Sequence, residues 1–227
     1  MTQNYTPITD KDVFDIENSF YLLSEPYRIG KLLGQYELYK KITNLPGSIV
    51  ECGVYKGVSL TRWMTFRHAL ETDESRKVIG FDAFGQFPTK GLVRADDLSF
   101  ASTHDNDSGG PGIDKEMLST RLSEKGFTNF ELIKGNVAES LHEYFMAHDY
   151  ERISLLHLDM DVYEPTKLAL GILIDKIVPG GLVVIDDYGT VNGATEAVDE
   201  FISDYPRKKL TLERAPYYKI PAFITIS

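Results

Sequence analysis

The chain has 227 residues, a length at which one α/β core is the normal outcome, and its 42% apolar content suits a folded globular protein. A formal net charge of −10 argues against a general nucleic-acid or anionic-membrane surface, because phosphate binding is driven by clustered Lys and Arg. The one cysteine, Cys52, excludes an intrachain disulfide and any multi-cysteine metal site, and its apolar setting reads as that of a small buried residue.

In chain order, "MTQNYTPITDKDVF" holds no apolar signal core, and no later run reaches membrane-spanning length. A soluble cytoplasmic protein of one domain, residues 1–227, is therefore expected. Residues 24–47 carry Ile29, Leu32, Leu33, Tyr36 and Tyr39 at helical spacing and stop at Pro46-Gly47, which predicts an amphipathic helix within an N-terminal cap over 1–46. "GSIVECG" (47–53) reads as a strand and "SLTRWMTFRHALE" (59–71) as a helix. "KVIGFDAF" (77–84), "FELIKG" (130–135), "ISLLHLD" (153–159) and "GLVVID" (181–186) read as further strands, with "PTKLALGILIDKIV" (165–178) a helix between the last two. Continuous apolar strands alternating with helices indicate a parallel sheet covered on both faces. Residues 208–227 contain two strands with no helix between them, which predicts an antiparallel pair closing one edge. The polar stretch 85–112 lacks sustained periodicity and reads as a long lid loop, and Arg207-Lys208-Lys209 as a solvated turn.

Ligands of an open parallel sheet bind outside the C-terminal ends of its strands, and three stretches put polar residues there. In "VECGVYKGVSL" the strand ends on Glu51, Gly53 and Gly57 allow a tight turn, and Ser59 lies near the next helix start. The spacing is neither the dinucleotide nor the P-loop glycine pattern, so a strand-terminal Glu here suits a cationic ligand such as an aminocarboxypropyl sulfonium. In "GFDAFGQFP", Asp82 ends the second strand, where an acid commonly accepts both hydroxyls of a ribose. "LLHLDMDVYEP" and "GLVVIDDYG" end on Asp159, Asp161, Asp186 and Asp187. Asp159, Asp186 and Asp187 would repel one another without a cation, and oxygen ligands without His or Cys suit Mg²⁺, Mn²⁺ or Ca²⁺. Asp161 reads more simply as the cap of the following helix. His157 alternates to the face opposite Leu156 and Leu158 and reads as a packed histidine. His68, His142 and His148 fall on helical patterns, whereas His104 in the polar stretch is a candidate substrate contact or base.

"VECGVYKGVSL", "FDAFGQFP", "LDMDVYEPT" and "PGGLVVIDDYG" resemble, in order and spacing, the macrocin O-methyltransferase family, class I S-adenosylmethionine enzymes that methylate deoxysugar hydroxyls. The resemblance covers roughly residues 28–200. It implies a Rossmann-like α/β fold with a mostly parallel seven-stranded sheet, an antiparallel C-terminal edge strand, helices on both faces and an N-terminal helical cap. It implies S-adenosylmethionine and Mg²⁺ as cofactors. Glu51, Gly53, Tyr55 and Ser59 would then line the methionine part of S-adenosylmethionine, Asp82 would hold the ribose, and Asn136 and Val137 would flank the adenine. Asp159, Asp186 and Asp187 would carry Mg²⁺, with Asp159 also beside the cofactor and assisting deprotonation. The implied acceptor is a small molecule with adjacent hydroxyls, a sugar or glycoside, and a homo-oligomer formed through N-terminal helices is expected. A catechol-type aromatic diol remains an alternative acceptor, and a non-catalytic cofactor-binding module an alternative role. A nicotinamide dehydrogenase is disfavoured by the missing glycine pattern.

Overall fold

The computed structural model describes residues 10–205 and 210–227; the run Arg207-Lys208-Lys209 lies outside them. The apolar runs form β1 (Ser48–Cys52), β2 (Val78–Asp82), β3 (Phe130–Lys134), β4 (Ile153–Leu158) and β5 (Ile177–Ile185), all mutually parallel. Every residue of β1 and β4 is buried, because helices cover both faces of the sheet. β6 (Leu212–Arg214) and β7 (Ala222–Thr225) complete a seven-stranded sheet of order β3-β2-β1-β4-β5-β7-β6. The strand that runs against the parallel set is β7, paired with β5; β6, predicted only as part of an edge pair, lies outermost.

One face packs on α6 (Val137–Ala147), α7 (Tyr163–Leu173) and α8 (Asn192–Asp204), around Val50, Phe81, Leu156, Leu158 and Val183. The other packs on α2 (Tyr27–Ile42), α3 (Val58–Leu70) and α5 (Lys115–Glu124), around Ile49, Trp63, Leu118, Leu155 and Val184. α1 (Asp10–Leu23) precedes α2. The alternation of His157 holds: it is fully buried with Leu155 facing the α3 side. No helix of the described residues is long and apolar enough to cross a membrane.

Two expectations change. Residues 85–112 are not a continuous loop, since α4 (Ala95–Asp107) runs through them. Its inward residues are Asp97, Ala101 and His104, at helical spacing but almost without apolar surface, so a hydrophobic pattern cannot reveal it. Asp96 and Asp97 in its first turn suit the helix dipole. Asp161 is also not the cap of α7. It sits in the left-handed region (φ 63°), and the backbone N–H of Tyr163 instead donates to Asp97 Oδ2 at 2.9 Å, so the cap comes from α4.

Candidate active site

Strand order reverses direction between β1 and β4, and the two chains leave the sheet there in direct contact. Gly53 N donates to Phe81 O, and Asp159 N donates to Cys52 O, both at 2.9 Å. A Cβ on Gly53, whose φ is +91°, would lie 1.8 Å from the Asp159 carbonyl oxygen. Only glycine permits this crossing. Beyond it opens a cavity of about 220 Å³, lined by Gly53, Tyr55, Asp82, Asn136, Val137 and Asp159. Six of the predicted cofactor residues thus converge on one space.

Glu51 and Ser59 do not line that cavity. Glu51 is fully buried on the α3 side, accepting from Ser59 Oγ at 2.9 Å and lying 3.1 Å from His157 Nδ1. Asp82 Oδ2 accepts from Val54 N and Tyr55 N at 2.8 and 2.9 Å, and Oδ1 accepts from Phe84 N at 2.5 Å. Those bonds hold Tyr55 at its left-handed φ of 51°, a conformation that costs a non-glycine residue on the order of 1 kcal/mol or more. Tyr55 then reaches the far side of the cavity, its hydroxyl donating to Ser108 O and Gly110 O.

The 85–112 segment closes over this cavity. Phe87, Pro88, Leu92 and His104 line it, Lys56 Nζ donates to Gly109 O at 2.7 Å, and Asn136 Nδ2 donates to Lys90 O at 3.1 Å. The lid therefore covers the same space as the predicted cofactor residues. His104 is wedged between Phe87 and Phe100, with its Nε2 3.9 Å from Asp161 Oδ2.

The four acids meet below the crossing. Asp186 and Asp187 are buried, and Asp159 is partly exposed. Burial, then the charges of Asp186 and Asp187, push the Asp159 carboxyl well above the usual carboxylate range. Burial, then Asp161 and Asp186, do the same to Asp187, whose Oδ2 accepts from Asp161 N at 3.0 Å. Asp161 is pushed up to about 7 by burial, then by Asp159 and Asp186. Asp186 is the exception. Burial opposes its ionisation, but His157 and Lys31 together hold it below the ordinary value. Lys31 Nζ donates to Asp186 Oδ2 at 2.5 Å, and Asp186 Oδ1 has no hydrogen-bond partner. For His157, burial favours the neutral ring, yet the nearby Asp186 carboxylate, the contact with Glu51 and the charges of Glu51 and Asp159 raise it to about 10.

Carboxylate oxygens of Asp159 and Asp186 and a ring nitrogen of His157 lie within 4.8 Å of one another. His157 Nδ1 lies against Glu51, and the carboxylates are the hard oxygen donors of this group. A buried Asp186 oxygen without a hydrogen-bond partner, beside carboxyls whose ionisation is opposed by burial and then by one another, marks a place for a hard divalent cation, so the residues fit Mg²⁺. Sequence reasoning missed Lys31 and Asp97. Each is one polar residue on a helix, and nothing in its spacing says which neighbour it meets.

A family model described as macrocin-O-methyltransferase matches residues 36–211. The chain is 28% identical over 175 residues to the 8-demethyl-8-(2,3-dimethoxy-alpha-L-rhamnosyl)-tetracenomycin-C 4'-O-methyltransferase of Streptomyces olivaceus, covering 71% of this chain. It is 27% identical over 192 residues to the demethyldecarbamoylnovobiocin O-methyltransferase of Streptomyces niveus, covering 77% of this chain. These alignments span 60% and 66% of those two proteins. Among solved structures, the calicheamicin methyltransferase CalS11 shares the fold, with a TM-score of 0.70 at 23% identity over 97% of this chain and 87% of that chain.

Proposed function

The chain belongs to the macrocin O-methyltransferase family, and we propose that it transfers the methyl group of S-adenosylmethionine to a hydroxyl of a sugar or glycoside, with Mg²⁺ held by the acid set, in the making of a natural product. The observation that carries this reading is the Gly53–Asp159 crossing, where a cavity lined by Asp82, Asn136 and Val137 meets Asp159 and the acids behind it. Both relatives are named as O-methyltransferases, and the name of the Streptomyces olivaceus protein includes a rhamnosyl group, which supports the acceptor class.

S-Adenosylmethionine, when bound, supplies an electrophilic methyl group on a positively charged sulfur that departs as a neutral thioether. Mg²⁺, when bound by Asp159, Asp186 and Asp187, supplies a Lewis acid that lowers the pKa of an acceptor hydroxyl. The remaining work falls to the chain. Asp159, partly exposed to the cavity, accepts the hydroxyl proton on its carboxylate. His157 favours the ionised form of Asp186, as Lys31 does in the metal-free site. Gly53 lets the β1 and β4 ends approach until cofactor and acceptor sides adjoin, and the lid excludes water. Asp82 orients the Tyr55 turn and presents its remaining lone pairs to a ribose.

Methyl transfer to a panel of nucleotide-activated and free deoxysugars tests the reading. Product should form with Mg²⁺ and disappear on chelation. Turnover that survives complete chelation would remove the metal from it. Asp82→Ala should weaken S-adenosylhomocysteine binding by about 1–3 kcal/mol, the scale for bonds to a charged group. An unchanged affinity in calorimetry would take Asp82 out of the cofactor site.

We also propose a homo-oligomer. α1 exposes Val13, Phe14, Ile16, Tyr21, Leu22 and Leu23, with Leu22 and Leu23 more than four-fifths accessible, an apolar surface that a second copy would cover. The double substitution Leu22→Glu, Leu23→Glu should turn the assembly into monomers in light scattering. A wild-type protein that is already monomeric would contradict the proposal.

A further inference from the structure

α2 delivers one lysine to the acid cluster at the carboxyl ends of β4 and β5. Gly30 and Gly34 bracket Lys31, and a Cβ on either would come within 3.0 Å of the backbone oxygens of Tyr217 and Pro216. Their missing side chains let α2 lie against the segment before β7, and this close packing sets Lys31 over the end of β5. The ammonium donates to Asp186 Oδ2 at 2.5 Å, and its charge acts on Asp159 and Asp187 as well. It is bonded to one of the carboxylates to which a divalent cation has been assigned. Asp186 Oδ1 faces His157 Nε2 at 3.8 Å, too far for a hydrogen bond, so half of this carboxylate stays unpartnered even with Lys31 in place.

The Lys31 ammonium bonds one oxygen of the cluster, Asp186 Oδ2, and a divalent cation cannot draw on that oxygen while Lys31 holds it. A lysine suits an exchange of the two. Its charge is a compact point on a flexible four-carbon stem, and the Lys31 side chain is 19% exposed, which leaves a path to solvent. Without any counter-ion the buried acids would be strongly destabilising.

We propose that Lys31 is the built-in counter-ion of the acid cluster: its ammonium holds Asp186 when no metal is present and withdraws towards solvent when a divalent cation binds. The proposal rests on the reading of Asp159, Asp186 and Asp187 as the metal ligands. It makes α2, and through it the N-terminal cap, responsive to metal loading. A lysine that only straps α2 to the sheet would stay on Asp186 with metal bound. A lysine serving as a base would need to be neutral, and one donating to a carboxylate is not.

The test is calorimetric titration of MgCl₂ into wild type, Lys31→Met and Lys31→Arg, with acylation of surface amines followed residue by residue in wild type. Lys31→Met should bind Mg²⁺ about tenfold more tightly, since a unit charge a few ångströms away no longer competes. Its metal-free melting temperature should fall and recover at saturating Mg²⁺. Lys31→Arg should bind Mg²⁺ more weakly than wild type, because a guanidinium can hold the carboxylate through two bonds. In wild type, Lys31 should be protected from acylation without metal and reactive with Mg²⁺ saturating. Equal or weaker Mg²⁺ binding by Lys31→Met, or continued protection of Lys31 with metal bound, would overturn the proposal while leaving the metal site intact. If wild type binds no Mg²⁺, the metal reading fails and the counter-ion exchange with it. Should Lys31→Met not fold, the acylation pattern of wild type decides alone.

Discussion

Asp187→Asn should lower turnover by on the order of 10²–10³-fold while leaving S-adenosylhomocysteine affinity within about threefold of wild type. The argument is one of placement. Asp187 is buried and is absent from the lining of the cavity proposed to hold the cofactor. Its proposed part is in the metal set. Its Oδ2 accepts from Asp161 N and shapes the left-handed turn that follows Asp159. An amide is nearly the same size and retains one acceptor oxygen, so the turn survives. What it loses is the charge. Steady-state kinetics beside calorimetry separate the two effects, and an equal loss of binding and turnover would place Asp187 in the cofactor site instead.

Gly53→Ala should be among the most destabilising single changes in the chain, by more than about 4 kcal/mol, or should prevent folding. Two penalties act together. The φ of +91° is a region that residues with a Cβ rarely adopt, and the added carbon would lie 1.8 Å from the Asp159 carbonyl oxygen. Neither partner can retreat easily. Gly53 N is bonded to Phe81 O and Asp159 N to Cys52 O, so both ends are pinned to the sheet. A urea titration measures the cost. A loss below 1 kcal/mol would mean that the β1 and β4 ends can part, which would undo the crossing on which the proposed site is built.

The same crossing explains what could be read without a structure. The parallel strands were legible because β1, β2, β4 and the second half of β5 are runs of apolar, often β-branched residues that are almost wholly buried, with the half-buried edge strand β3 the weakest of the set, and their order along the chain already implied crossover helices. The acids were legible as a group because each closes such a run. Helices carried by small or polar buried faces were not. α8 packs through Gly193, Ala194, Ala197 and Val198, and α4 turns Asp97, Ala101 and His104 inwards. Strand alternation could have shown that Glu51 points to the α3 face, since Val50 and Cys52 lie on the other. Predicting the Glu51–His157 pair also required the β1–β4 register, which sets Glu51 beside His157. Lys31 and Asp97 depend on contacts between elements far apart in the chain, 155 residues for Lys31 and Asp186, and no local pattern encodes such a meeting.

The most direct test of the account is calorimetric binding of S-adenosylhomocysteine to the wild-type protein, with Mg²⁺ present and after chelation. A single site of micromolar affinity (about −8 kcal/mol) that persists after chelation is the predicted result, because the cavity lined by Asp82, Asn136 and Val137 lies beside the acid cluster and does not depend on it. No binding under either condition would contradict the account.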